Sequence, residues 1–428
     1  MERIKQKAEE KPEESAARRA AGFSRIEKKL PSRFSRRPSD ILRSMFTTLR
    51  SKNPLAQPVN LDENIVWLFD NHAYQPIHPY PHKPQPWQIE VVACAFVRGR
   101  NDISEHIATV ADTIGLDGKR GDDGVIQQRI AQRLQPLLYS VAPARTMVLK
   151  VPSPLSDNTI QDHGLGPTNS DGILSQIVST PHRSITDGLA ITSHLEGSSG
   201  TVTMTTTFAV PEGWLLISDI DDSIKLTQTS DAVGILRTTF AEEPQPIQGM
   251  PELYRHIEKT LSPAWIYLSA SPYNLYQFLR DFLHAYYHPG TLILRENSWH
   301  DLGGFLKSYS MGTQAYKADR IDKIHGWFPQ RKVLCVGDST QSDPEAYAEL
   351  YRKYKGWIRA IFIRKVTNIP HMDEKNSDGR FQKAFEGIPD NVWTVFEQPE
   401  ELYQLVDNLK ANEAAGSNAS GVQALYEK

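Results

Sequence analysis

The stretch Gly213-Trp214-Leu215-Leu216-Ile217-Ser218-Asp219-Ile220-Asp221-Asp222-Ser223 carries three carboxylates on the tip of an apolar run. Four large apolar residues before the acids read as a buried central strand of a parallel sheet. Such a strand delivers Asp219 and Asp221 to its carboxyl end, where open α/β sheets bind ligands. Residues two apart on an extended segment point the same way, so one carboxylate can attack while the other handles protons. Carboxylates this crowded normally need a cation. Taken alone, an acidic turn after a strand also fits a calcium loop or an ordinary solvated bend.

Segments further along the chain separate these readings. Trp265-Ile266-Tyr267-Leu268 is a second strand-like run ending in Ser269-Ala270-Ser271-Pro272, and Leu275, Phe278, Leu279 and Phe282 then share a helical face. A hydroxyl such as that of Ser269 at a strand end can bond a transferring phosphoryl oxygen, although a lone Ser is as often a helix cap. Lys317 precedes a helical pattern carrying Ile321, Ile324 and Trp327. Its ammonium can offset the charge of a phosphate, whereas a lone Lys is ordinarily a solvated surface residue. Lys332-Val333-Leu334-Cys335-Val336-Gly337-Asp338-Ser339-Thr340-Gln341-Ser342-Asp343 is another strand running into Gly-Asp-x-x-x-x-Asp. Two carboxylates after a glycine turn can complete an oxygen-ligand octahedron around magnesium.

In order and spacing these segments resemble the four motifs of the haloacid dehalogenase phosphatase superfamily, with Ser223 where Thr is more usual. The resemblance narrows to the fungal actin-patch phosphatidate phosphatase family. Pro246 to Tyr254, Tyr267 to Leu275, Val336 to Tyr347 and the closing strand Ile361 to Val366 carry it, and it covers most of Trp214 to Val366. It implies a haloacid dehalogenase-like Rossmann domain with a parallel sheet. It also implies magnesium-dependent hydrolysis of phosphatidate to diacylglycerol and phosphate through an aspartyl phosphate, linked to actin patches and endocytosis. In that scheme Asp219 is the nucleophile and Asp221 the acid and base, while Ser269 and Lys317 hold the phosphoryl oxygens. The metal residues are Asp219, Asp338, Asp343 and Asp221, the last through its backbone carbonyl. Asp222 has no role and is expected at the surface or behind the site. The alternatives are a phosphatase of another phosphoester and a non-catalytic scaffold joining membrane and actin-patch proteins.

Only about forty residues separate Ser223 from Ser269, fewer than the ~50 at which independent domains usually start, so no cap domain is expected over the site. An uncapped site can receive a large or membrane-resident substrate. Of the aromatic residues Tyr273, Tyr276, Phe278, Phe282, Tyr286, Tyr287 and Trp299, most are expected in the core, with an interfacial role for some as the alternative.

With 428 residues and 39% hydrophobic content, the chain suits two domains. Its division is expected as a basic, mostly disordered arm (1–59), a β-rich domain (60–210), an α/β phosphatase domain (211–409) and a flexible tail (410–428). No apolar run approaches the ~20 residues of a membrane span and no signal-peptide core stands at the amino terminus, so a cytoplasmic protein is expected. Cys94 and Cys335 lie in apolar runs and read as reduced, buried thiols.

The net charge of −3 conceals an asymmetry, since the eleven cations from Arg18 to Lys52 face only Glu27 and Asp40. Within this arm Ile41, Leu42, Met45, Phe46 and Leu49 share one face of a helix beginning after Pro38-Ser39-Asp40. Such a helix suits an anionic membrane surface, or equally the protein's own core. The arm lacks the stacking aromatics of a nucleic-acid binder. Arg36-Arg37-Pro38-Ser39 resembles a basophilic kinase site. In the next region Ile65 to Phe69, Gln88 to Val97, Thr146 to Val151 and Thr201 to Val210 read as strands and Ile126 to Leu138 as a helix, with His163, His182 and His194 scattered in loops. Pro76 to Pro86 contains Pro-x-x-Pro twice, the shape that SH3 domains recognise. The expected partners are thus phosphatidate, a membrane surface and SH3-domain actin-patch proteins, at membranes beside cortical actin patches.

Overall fold

The computed structural model of the chain describes residues 18–30, 53–76, 85–99, 102–116, 123–154, 159–181, 184–296 and 302–412. The expected helix after Asp40, the kinase-like site, the double Pro-x-x-Pro segment from Ile77 to Pro84, His182, Trp299 and the tail beyond 412 lie outside the described residues.

The described strands form two sheets. The first contains β1 (Gln57–Pro58), β2 (Asn64–Leu68), β3 (Asn71–Tyr74), β4 (Trp87–Val97), β5 (Arg145–Pro152), β6 (Ile160–Leu165), β7 (Ile173–Thr180), β8 (Ala190–Leu195) and β9 (Thr203–Phe208). The second contains β10 (Trp214–Ser218), β11 (Ala264–Pro272), β12 (Thr291–Arg295), β13 (Lys332–Asp338), β14 (Ile358–Arg364) and β15 (Trp393–Phe396).

All pairings of the second sheet are parallel, in the order β12-β11-β10-β13-β14-β15. Alternate residues of its strands enter two different cores. Leu216, Tyr267, Leu334 and Phe362 face one, and Ile217, Leu268, Cys335 and Ile361 face the other. Helices cover both faces, which is why β10 can be apolar from Trp214 to Ile217 and wholly buried. On one side the helix Met250–Leu261 turns Leu253, Tyr254, Ile257 and Leu261 inward. On the other, Ile321 and Ile324 come from the helix Thr313–Trp327, and Tyr347 and Leu350 from the helix Asp343–Lys353. From β10 the chain steps one way to β11 and β12, then returns to β13 on the opposite side of β10. The carboxyl ends of β10 and β13 therefore flank a topological switch point, where the flanking connections part and leave a crevice.

The first sheet is mostly antiparallel, with β1/β5 and β3/β9 parallel. Its outer strands β6 and β7 meet through Gln176, whose Nε2 donates to Gly164 O at 2.9 Å. Besides the expected strands it contains β1, β3, β6, β7 and β8; His163 and His194 lie on β6 and β8, not in loops. The expected helix near Ile126 is Asp123–Leu134, closed by a 3-10 turn at Gln135–Leu138.

The boundary near residue 210 separates the sheets but not the cores. Trp67, Phe69, Phe96, Ile130 and Leu134 share one cluster with Leu216, Tyr273, Tyr276 and Phe282. Phe69 stacks on Tyr276 at 3.7 Å between centroids, and the Tyr276 hydroxyl accepts from Asp70 N at 2.7 Å. Arg331, fully buried, donates to Val210 O at 2.8 Å, Trp214 O at 2.7 Å and Asp187 Oδ1 at 2.5 Å, fixing the point where one sheet gives way to the next. Tyr273, Tyr276, Phe282 and Tyr287 are core residues as expected, whereas Tyr286 is exposed. Cys94 and Cys335 are buried and free. Among the described residues no helix is long and apolar enough to cross a membrane.

The arm departs from expectation over residues 18–30. Phe23, Ile26 and Leu30 are buried in the shared core, because spacings of three and four place them on one face of a short helical segment.

His72 reports on the seam between the sheets. Its Nδ1 lies 2.7 Å from Thr291 Oγ1 of β12, and burial, aided by the charge of Arg331, pushes its pKa down to about 3. The unfolded chain therefore takes up a proton near pH 6.5 that the folded chain refuses, so this contribution is complete above pH 6.5 and is lost as pH falls toward 3. We expect the stability advantage of the wild-type chain over His72→Gln to shrink by about 2 kcal/mol between pH 6.5 and 5, read by urea unfolding. A pH-independent difference would rule this out.

Candidate active site

The end of β10 and the turn after it set the site. Asp219 N still bonds to Val336 O at 2.8 Å, continuing the ladder with β13. The backbone then curls. Ile224 N and Lys225 N both reach Ile220 O, at 3.0 and 2.9 Å, and Asp222 takes a left-handed conformation (φ 63°). The interval to β11 builds no separate layer; it holds this bridged turn, the helix Ala232–Leu236, the π-helical turn Arg237–Ala241 and the helix Met250–Leu261.

The residues singled out in sequence come together. Lys317 Nζ donates to Asp219 Oδ1 at 2.9 Å and also bonds Asp343 Oδ1. Lys317 lies inside the helix Thr313–Trp327 and not ahead of it, because left-handed Gly312 starts the helix a turn earlier. Ser223 Oγ bridges Asp219 Oδ2 and Asp338 Oδ2, at 3.2 and 3.0 Å. Asp343 Oδ2 accepts from Asp338 N at 3.0 Å, an approach that Gly337 permits, since a Cβ there would stand 2.5 Å from the same oxygen. One carboxylate oxygen from each of Asp219, Asp338 and Asp343 falls within 4.8 Å of the others.

Asp221 is engaged differently. Its Oδ2 accepts from Ser269 Oγ at 2.7 Å and Ser271 Oγ at 3.0 Å, and its Oδ1 from Thr227 Oγ1 at 2.8 Å. Its carboxylate thus stands outside the three-acid group, and Ser269 spends its hydroxyl proton on Asp221. Lys225 Nζ, buried beneath Phe278, donates to Thr227 Oγ1 at 2.9 Å. Hydroxyls both donate and accept, so this collar can serve either protonation state of Asp221.

Burial governs the electrostatics, as none of Asp219, Asp221, Ser269, Lys317, Asp338 and Asp343 is more than 1% exposed. Burial pushes the Asp219 carboxyl well up, Lys317 pulls it back, and Asp343, Asp338 and Asp221 raise it further. Asp338 is raised by burial and then by Asp343. Burial opposes the charge of Lys317, but Asp219, Asp343 and Asp338 outweigh it and hold the ammonium above its usual range. Three carboxylates and one ammonium sum to −2 when all are charged, an excess that a dry site tolerates poorly. Hard oxygen donors carrying surplus negative charge fit a hard divalent cation.

Of the two placements expected for Asp222, at the surface or behind the site, the structure takes the second. Asp222 is fully buried and accepts from Thr227 N (2.9 Å), Gln228 N (2.7 Å), Thr229 N (2.6 Å) and Thr229 Oγ1 (2.7 Å). It folds the turn that carries Thr227 to Asp221. Thr227, Thr229 and Lys225 gave no signal in sequence, whereas Ser271, two residues from Ser269 on the same strand, could have been read from strand alternation.

Residues 214–365 match the family model described as phosphatidate phosphatase APP1, catalytic domain. The phosphatidate phosphatase APP1 of Saccharomyces cerevisiae is 30% identical over 219 residues, 49% of this chain and 37% of that protein. An uncharacterized protein of Schizosaccharomyces pombe is 27% identical over 159 residues, 36% of this chain and 25% of that protein. The aligned portions thus cover no more than 37% of the length of these curated relatives.

Asp222→Asn replaces an acceptor oxygen with a donor facing N–H groups. We expect a loss of about 1–3 kcal/mol in urea unfolding, the range for an unsatisfied buried polar group. A surface carboxylate would change stability by only ~0.5 kcal/mol or less, and that result would contradict the buried turn.

Proposed function

Through residues 214–365 the chain belongs to the APP1 phosphatidate phosphatase family, and from that premise we propose that it is a magnesium-dependent phosphatidate phosphatase of the haloacid dehalogenase type. The observation that carries the reading is the buried set Asp219, Lys317, Asp338 and Asp343 at the switch point, with Asp221 beside it in a collar of hydroxyls. A site for small-molecule recognition alone would not require a second carboxylate held apart from the cation-binding group.

Asp219, Asp338 and Asp343 would hold magnesium, as would the backbone carbonyl of Asp221 by family resemblance. Magnesium would supply positive charge that draws the phosphate to the nucleophile. The rest is the work of side chains. A carboxylate oxygen of Asp219 attacks phosphorus, forming an acyl phosphate as the bond from phosphorus to the glycerol oxygen breaks. Asp221 gives its proton to that oxygen, and diacylglycerol leaves. Asp221, now a carboxylate, takes a proton from water as the water oxygen attacks phosphorus. The bond to Asp219 breaks, phosphate departs, and both carboxyl groups return to their starting states. Lys317 lies against Asp219 and would neutralise the equatorial phosphoryl oxygens. Ser269 would turn its hydroxyl from Asp221 to the phosphoryl group.

With no separate cap layer between Ser223 and Ser269, the reading favours a large substrate presented from a membrane. Work in the cytoplasm, beside endocytic actin patches and with SH3-domain partners, belongs to the same proposal and rests on family resemblance.

Phosphate release from phosphatidate in mixed micelles tests the reading. Wild-type release should require magnesium and fall by about 10³-fold or more in Asp219→Asn. Lys317→Met should lower it about 10²–10³-fold. No magnesium-dependent release above the Asp219→Asn background, in folded protein, would remove the phosphatidate assignment and leave another phosphoester as substrate.

Magnesium should also raise the thermal midpoint of the wild-type chain, by a stabilisation of about 2.7 kcal/mol at a hundred times its Kd. The rise should disappear in Asp343→Asn. An equal rise in both proteins would place the ion elsewhere.

A further inference from the structure

The segment 18–30 sits at the edge of the candidate active site. Phe23, Ile26 and Leu30, 2%, 6% and 8% exposed, are buried in the shared core, and the helix Phe23–Glu27 packs against both Ala232–Leu236 and Leu302–Ser308. Ala232, Ile235 and Leu236 of the first helix and Leu302, Phe305 and Leu306 of the second are buried in the same core, so the two helices bound an apolar groove that the segment occupies. Both walls adjoin the chemistry. The first helix comes directly after the Asp222 turn, and Thr238 Oγ1 just beyond it donates to Thr227 O at 2.9 Å. The second leads into Tyr309, whose hydroxyl lies 2.7 Å from Ser271 Oγ, itself bonded to Asp221. Arg18 then fastens the segment to the residues after Tyr309. Its Nε donates to Ser310 Oγ at 2.6 Å and its Nη1 lies 3.7 Å from Met311 Sδ, while its Nη2 pairs with Glu27.

Two further features bear on its role. Every side chain of the reaction is buried, so a bulky phosphate ester can enter only if some neighbouring element moves. The helix Phe23–Glu27 has five residues, begins at left-handed Gly22 (φ 75°) and has no side-chain N-cap bond, so it is held by tertiary contacts and not by its own helical propensity. The segment 18–30 carries Arg19, Arg25, Lys28 and Lys29 on its exposed side, Arg25 within the helix and the others flanking it. One side of the segment thus matches hydrocarbon and the other matches anionic headgroups.

We propose that the groove between Ala232–Leu236 and Leu302–Ser308 is an acyl-chain subsite that Phe23, Ile26 and Leu30 fill in the absence of lipid. An anionic lipid surface captures the cationic face of the segment, draws its three apolar side chains into the interface and leaves the groove to substrate chains. The subsite rests on the lipid-phosphate reading of the same centre. It makes the enzyme's turnover depend on the surface that presents the substrate and not only on the substrate.

The full chain with magnesium and 4-nitrophenyl phosphate, a small soluble ester, separates the two. Vesicles of phosphatidylcholine with phosphatidylserine, which contain no phosphatidate, should raise hydrolysis at least threefold, and phosphatidylcholine alone should not. Phe23→Ser with Ile26→Ser should raise the vesicle-free rate to the stimulated level. Reversing Arg19, Arg25, Lys28 and Lys29 to Glu should leave the vesicle-free rate unchanged and remove most of the stimulation. Hydrogen exchange should quicken over 23–27 and 302–311 on the anionic vesicles only. The inference falls if the double Ser variant, with a wild-type circular dichroism spectrum, keeps the wild-type rate, or if exchange over 302–311 ignores the vesicles. Asp219-dependent release from phosphatidate alongside such a failure would leave the phosphatase reading standing. Vesicle-dependent exchange with neither phosphatidate nor 4-nitrophenyl phosphate hydrolysed would instead overturn the phosphatase reading and, with it, the acyl-chain subsite.

Discussion

A fully buried ammonium, Lys317, bonded to the carboxylates of Asp219 and Asp343, is the interaction that organises this structure. Removing charges from water is expensive, and attraction offsets that only when geometry is good and the remaining lone pairs are satisfied. The fold supplies those conditions from several directions. Ser223 bridges Asp219 and Asp338. Thr340 N donates to Asp338 at 2.6 Å, and Asp338 N donates to Asp343. Gly337 lets the Asp343 carboxylate approach the chain. The negative surplus that remains is what suits the cluster to a divalent cation and, in the proposed reaction, to a phosphate brought in with it.

That cluster can be rigid because the parallel sheet beneath it is packed on both faces and steadied at one edge. An uncovered edge strand such as β12 would offer unpaired backbone groups to other chains. Here the first sheet lies against it: His72 of β3 meets Thr291, and Asp70 just before β3 accepts from Arg280 Nε at 2.5 Å. Phe69 on Tyr276 and the buried Arg331 complete the seam. The antiparallel sheet thus belongs to the architecture that holds β11 and Ser269 in place. The same shared core admits Phe23, Ile26 and Leu30, linking the basic segment to the neighbourhood of Asp221.

Much of the site was legible from local pattern. The apolar run before Asp219, the glycine turn before Asp338 and the spacing to Asp343 each depend on a few consecutive residues and on the alternation of a strand. The misses have a common cause. Asp222 stays open between the surface and a place behind the site, because nothing in its own sequence shows that the backbone curls left-handed and brings three N–H groups from Thr227 to Thr229 onto it. Strands β3, β6 and β8 are polar or short, and β3 and β7 pair with β9 and β4, far along the chain. Residues 18–30 read as part of a polar arm by composition, yet three apolar side chains at helical spacing suffice once a groove is waiting for them.

Which chemical groups are available, and where strands end, is written in short stretches of the chain, because strand alternation and glycine's backbone freedom are local properties. Those stretches commit Asp219 and Asp221 to one strand tip, and Asp338 and Asp343 to another. It took long-range packing to make Lys317, 98 positions from Asp219, donate to it, to collar Asp221 with Ser269, Ser271 and Thr227, and to shut all of them away from solvent. Proton affinity and cation binding depend on distance and desolvation, and both are set by how distant segments pack.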